Sequence, residues 1–109
     1  MAIFEEFEKL DMRVGIVREV EPFPRARKPS PRLTIDFGPE IGSKPSSAQV
    51  TNYRPEELVG MPVIAIVNLP PRNIAGFRSE VLVLGVPGAD GQLSLLTPSR
   101  PAQPGGRVY

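Results

Sequence analysis

The side chains available for chemistry here are cations, hydroxyls and carboxylates, because the 109 residues include no histidine and no cysteine. That removes a thiolate nucleophile, an imidazole base and the usual zinc ligand sets together. Two segments concentrate the remaining candidates. The stretch from Arg25 to Arg32 carries Arg25, Arg27, Lys28 and Arg32 with no acidic residue, and Phe23 stands just before it. Four cations and an aromatic on a loop can meet phosphates and stack a base, as in recognition of single-stranded or looped RNA. The same residues also read as a solvated basic loop. The second segment runs from Asn68 to Glu80. There Pro70 and Pro71 fix an extended backbone, Arg72 and Arg78 project from it, and Phe77 follows the flexible Gly76. Such a segment suits a binding rim, although Ile74 and Phe77 could equally fold inward as lids on the core.

Catalytic arrangements are not found. Gly38 and Gly42 do not build a phosphate loop, since Gly42 is followed by Ser43 and Lys44 in the reverse of the required order. Ser43 and Lys44 are chain neighbours on a loop and do not make a dyad. The acidic residues show no spaced cluster of the kind that cages a metal. No catalytic residue, metal or cofactor is therefore expected. Thirteen basic residues against 12 acidic ones leave a net charge of +1, so overall basicity gives no argument for nucleic acid, and the distribution of charge must decide.

The elements that must position these residues are short. Ile3, Phe4, Phe7 and Leu10 recur at helical spacing with glutamates between them, which predicts an amphipathic helix at the amino terminus. Its apolar stripe either caps the domain's own core or helps build a subunit interface. Alternation from Met12 predicts a strand to about Val20, and Leu33, Ile35 and Phe37 predict a second. Glu40 to Pro45 reads as a loop and Ser46 to Thr51 as a short strand with Ala48 and Val50 on one face. Pro55, Glu56, Glu57 and Gly60 are placed to start, charge and end one helical turn. The run from Met61 to Leu69 is apolar on both faces, as in the most central strand of a small barrel. Glu80 to Val86 and Gln92 to Leu96 supply two more strands around a Gly/Asp turn. The tail from Thr97, rich in proline and glycine, reads as an extended arm.

Five or six short strands without strand–helix alternation describe a small all-β barrel, and the length suits one domain spanning residues 1–109. Glutamates crowd the amino terminus and no long apolar stretch follows, so neither a secretory signal nor membrane insertion is expected. With no cysteine, a cytoplasmic location is the expectation.

Three stretches read together carry a family resemblance: FEKLDMRVGIVREVE, LTIDFGPEIGSKPSSAQVT and YRPEELVGMPVIAIVNLPPRNIAGFRSEVLVLG. They are similar to the tRNA-binding domains appended to some methionyl- and phenylalanyl-tRNA synthetases. Those appended domains usually carry Ser-x-Gly-Met where this chain has Ser79, Glu80, Val81 and Leu82. In that departure, and in its SSAQ segment, the chain resembles the CsaA branch of the family. The resemblance implies an OB-fold five-stranded Greek-key barrel with a short amino-terminal helix and a carboxy-terminal extension. It implies a homodimer built on Ile3, Phe4, Phe7, Leu93 and Leu95. It implies a ligand surface of Lys44, Ser46, Ser47, Gln49, Asn68, Arg72, Phe77, Arg78 and Ser79, joined by Phe23, Arg25 and Arg27. The activity implied is that of an export-related chaperone for unfolded or presecretory polypeptides, in contact with the SecA translocation motor. The alternative in the same fold is a structure-specific tRNA-binding module.

Overall fold

A computed structural model describes residues 1–21, 31–74 and 76–109; Phe23, Arg25, Arg27 and Lys28 lie outside the described residues. In chain order the elements are α1 (Phe4–Glu8), β1 (Met12–Glu21), β2 (Arg32–Asp36), α2 (Gly38–Ile41), β3 (Ser43–Ser47) and α3 (Pro55–Leu58). There follow β4 (Pro62–Ile66), β5 (Arg72–Ile74), β6 (Phe77–Ser79), β7 (Leu82–Val83), β8 (Gly85–Pro87) and β9 (Leu93–Leu95). An antiparallel sheet of five strands runs in the order β3-β2-β1-β4-β7, and β5-β6 and β8-β9 form two separate hairpins. The curled sheet is the OB-fold barrel expected from the sequence.

The central strand is β1 and not β4, because β1 is long enough to serve both halves of the sheet. Its first half, Met12 to Ile16, pairs with β4, and its second, from Ile16 to Glu21, pairs with β2. The register shifts between Val17 and Glu19, a bulge at Arg18 that bends the strand where the sheet must curl. Arg18 then reaches Asp36 at 3.1 Å. The Asp36 carboxylate also accepts from the Gly38 backbone N–H at 2.8 Å, and that bond, followed by the one from Arg18, holds it below the usual aspartate range.

Inward-facing residues make one core: Val17, Leu33, Ile35, Phe37, Leu58 and Val63 are fully or almost fully buried, with Val50, Ala65, Val81 and Leu95 beside them. Gly15 shares the inward face with Val17. A Cβ there would lie 2.4 Å from Ile35 Cγ2 and 2.6 Å from Phe37 Cε1, so only glycine lets β2 and the Phe37 ring close over β1. The turn α3 starts with Pro55, buries Leu58 and is held by Glu57. That carboxylate accepts from Arg54 Nε at 3.0 Å and from the Arg54 backbone at 3.3 Å, and these bonds keep it below the ordinary glutamate range.

Three features depart from the sequence expectation. The strand expected over Ser46 to Thr51 lies earlier, at β3, and is preceded by a helical turn, α2, instead of a loop. The run from Glu80 to Val86 is two strands that belong to different sheets. Leu84 is the pivot between them: its N–H donates to Ile64 on β4, and its carbonyl accepts from Leu96. The tail, expected as an extended arm, is held at its end against β1. Gly105 and Val108 donate to Val14 and Met12, and Val14 donates back to Gly106. The tail thereby takes the side of β1 that β2 leaves empty.

Gly15→Ala is expected to destabilise the domain by roughly 1–3 kcal/mol through overpacking, lowering the thermal midpoint by several degrees. A calorimetric midpoint equal to the wild type's would show that β2 yields without strain.

Candidate functional site

The barrel closes along a seam between β3 and the segment from Ser79 to Val81. Pro45 suits this outer edge, because in an antiparallel strand its absent N–H and its carbonyl point to the same side, away from β2. That carbonyl accepts from the Glu80 N–H at 2.9 Å. On either side of it the ladder is completed by hydroxyls. Ser46 Oγ donates to the Val81 carbonyl at 2.9 Å, and Ser79 Oγ accepts from the Ser47 N–H at 3.0 Å. Ser46 is 1% exposed and Ser79 4%, so both hydroxyls, expected to face a ligand, act inside the wall. Lys44 lies at the same seam, 3.8 Å from the Glu80 carboxylate, and Arg78 approaches Glu80 from the other side at 3.9 Å.

Beyond the seam stands the β5-β6 hairpin, which proline-rich sequence concealed. Asn73 Oδ1 accepts from the Gly76 N–H at 2.9 Å and Gly76 takes a positive φ of 85°, which together make the turn. Arg72 pairs with Ser79 in register, so the seam serine also fixes the base of the hairpin. Ile74 and Phe77 are half-buried, and the Arg32 guanidinium lies 4.6 Å from the centroid of the Phe77 ring, covering one of its faces.

The hairpin walls two adjoining cavities. The first, of about 360 Å³, lies among Leu69, Pro70, Pro71, Ser79, Glu80 and Val81, with Arg72 and Leu82 at its boundary. The second, of about 440 Å³, lies among Ser47, Gln49, Ile74, Val83, Leu93 and Leu95, and again meets Arg72 and Leu82. These two residues are therefore the divide between a pair of mostly apolar hollows: one exposed cation and one leucine that remains 37% exposed. Leu82 was not among the residues singled out from sequence. Its apolar side chain in a strand reads as core, and only the break of the Glu80 to Val86 run at Leu84 turns it outward.

The other expected residues are placed elsewhere. Asn68 sits under α1, where its carboxamide accepts from the Asp11 N–H at 2.8 Å and donates to the Lys9 carbonyl at 2.7 Å. Ile3 and Phe4 are 61% and 67% exposed, and α1 has no buried residue, so its stripe does not cap the core. Phe4 and Phe7 instead border a cavity of about 290 Å³ with Arg107, Val108 and Tyr109 of the returning tail. Leu93 and Leu95 border the groove at the hairpin and not this face, and Leu95 is 9% exposed, within this chain's own core. Arg13 Nε donates to Asp11 at 2.6 Å, a bond that strengthens its hold on its proton, and Nη1 donates to the Gly105 carbonyl, tying tail to strand.

Among the described residues no group of histidine, cysteine or carboxylate side chains could hold a metal, and no helix is long and apolar enough to cross a membrane. Among the described residues the mouth of the barrel offers apolar concavity, an exposed cation at Arg72 and further charges at its rim.

A closed OB barrel with a hairpin-walled groove defines a class of small ligand-binding domain, and the comparisons give the family. Residues 12–107 match the family model described as "Putative tRNA binding domain", and the chain belongs to that family. Within it the likeness to CsaA is the fuller one. The CsaA chaperone protein of Picrophilus torridus superposes with a TM-score of 0.95 at 50% identity, over 100% of both chains. The CsaA chaperone of Bacillus anthracis gives 0.91 at 51%, over 100% of this chain and 99% of that one. The methionine–tRNA ligase of Porphyromonas gingivalis is 43% identical over 96% of this chain, but the chain spans only 15% of that enzyme's length.

Ser46→Ala should lower stability by about 1–3 kcal/mol, since it leaves the Val81 carbonyl without its buried partner. A lower urea midpoint at unchanged slope is the expected reading; an unchanged midpoint would mean that the seam does not depend on this hydroxyl.

Proposed function

We propose that the domain is a non-enzymatic, passive holder of unfolded polypeptide that acts as a homodimer in the cytoplasm. The observation that carries this reading is the pair of apolar cavities divided by Arg72 and Leu82. Apolar contacts are non-directional and tolerate many side chains, which suits a binder of varied clients, while an exposed arginine adds salt-sensitive attraction and faster encounter. The likeness to proteins named CsaA chaperone over the whole chain supports it. Presecretory chains, with hand-over to a translocation motor, are the client route that this likeness brings. The exposed Ile3 and Phe4, beside the cavity shared by α1 and the tail, are the surface on which a second copy would seat. A dimer would raise avidity for any client long enough to span both grooves.

A tRNA-binding reading is favoured by the family model and by the synthetase relatives. Against it at this groove, Glu80 lies between Lys44 and Arg78 and offsets their charge. One face of Phe77 is also covered by Arg32.

The two readings differ in their response to salt, because neutralising several phosphates gives a steep log-linear loss that apolar capture lacks. A fluorescent unfolded polypeptide is expected to bind at low and at physiological salt, and bulk tRNA only at low salt. Leu82→Asp should weaken polypeptide binding about tenfold or more. Binding of tRNA alone at physiological salt would overturn the proposal. In sedimentation equilibrium the protein is expected to be a dimer that Phe4→Glu converts to monomer; a wild-type monomer at micromolar concentration would remove the dimer.

A further inference from the structure

A third cavity, of about 540 Å³, adjoins the second, and its lining is of a different kind: Gln49, Thr51, Asn52, Gln92 and Leu93. Gln49 and Leu93 border both, so the three hollows follow one another as a single trough. The apolar part, around Pro70, Pro71 and Leu82, passes into a part whose described residues carry three carboxamides, one hydroxyl and no charge. Asn52 Nδ2 donates to the Leu93 carbonyl at 2.9 Å, which anchors one wall to β9 and leaves Oδ1 as an acceptor. Gln49, Thr51 and Gln92 are exposed, and the Gln92 backbone is fixed by bonds to Asp90 and Gly88.

We infer that this carboxamide-lined cavity is a main-chain clamp, which takes the polypeptide backbone of a client whose apolar side chains occupy the two neighbouring cavities. The inference rests on the polypeptide-holding reading and gives it a direction. A carboxamide carries both donors and acceptors, as a peptide group does, and can bond to backbone whatever the side chains are. An uncharged lining matches a neutral backbone. Among the described residues it offers a phosphate no cation, which favours polypeptide over nucleic acid as the occupant. Because the apolar and the amide-lined parts lie at opposite ends of one trough, a client must enter with its apolar segment at the Pro70 end and the following backbone at the Gln92 end. Recognition then consists of a side-chain-dependent anchor and a sequence-independent extension on one side of it only.

The test uses a fluorescent, short apolar peptide, alone and with a Gly-Ser extension at either its amino or its carboxy end. On the wild-type protein, extension at one end is expected to tighten binding about tenfold, and extension at the other to change little. N-methylation of the favoured extension, which removes its N–H donors, should abolish the gain. Thr51→Ala combined with Gln92→Ala should do the same while the unextended peptide binds as before and the melting temperature holds. If the unextended peptide binds but neither extension helps, or if N-methylation leaves the gain intact, the clamp is refuted and the holding reading stands. If the unextended peptide does not bind at all, the holding reading falls and the clamp with it.

Discussion

Everything at the mouth of this barrel depends on how the sheet closes. Two edge strands, β3 and β7, would otherwise present unpaired backbone, and unpaired edges invite pairing with other chains. The closing ladder is short and mixed: a backbone bond from Glu80 to Pro45, flanked by the hydroxyls of Ser46 and Ser79. A hydroxyl can stand where a backbone group does not reach, so the seam tolerates the geometry by which the chain leaves β6 and enters β7. Because Ser79 also faces Arg72 across the β5-β6 hairpin, the same residue that closes the barrel sets the height of the wall above it. The groove is thus an extension of the closure and not a loop laid over a finished fold.

How much of this could be read from the residues follows from which forces leave a periodic mark. The alternation of Leu33, Ile35 and Phe37 and the Pro55/Gly60 punctuation of α3 gave correct elements, since burial on one face and restricted backbone angles are written locally. The β5-β6 hairpin is three residues a side, too short for alternation to register, and Pro70 and Pro71 just before it read as loop. The seam serines misled in another way. The family resemblance placed both on the ligand surface, whereas the hydroxyls of Ser46 and Ser79 satisfy buried backbone, a role set by strands distant in sequence, and Ser79 lines the first cavity as well. Asn68 is the same case, its carboxamide bonded at both ends to the α1–β1 junction. Leu82 shows the converse, an apolar strand residue that the fold leaves partly exposed. The resemblance to a family fixed the architecture more securely than it fixed the roles of single residues.

The charges near the groove are arranged to limit what binds there. Glu80 sits between Lys44 and Arg78, and among the described residues Arg72 is the cation that borders both cavities, with no acidic side chain within ion-pair distance. A single central cation between apolar hollows orients a ligand without demanding that it be polyanionic. Fold and family leave room for both polypeptide and RNA binders, and this local balance of charge is what counts against RNA at the groove.

The return of the tail has a consequence for how the molecule is made. Arg13 and Gly105, joined by a 2.9 Å bond, are 92 positions apart, and the empty side of β1 is filled only by residues 105–108. At about 5–20 residues added per second, β1 is exposed for roughly 5–20 s before its last partner has been synthesised. During that interval the growing domain is itself an unfinished chain with an open strand.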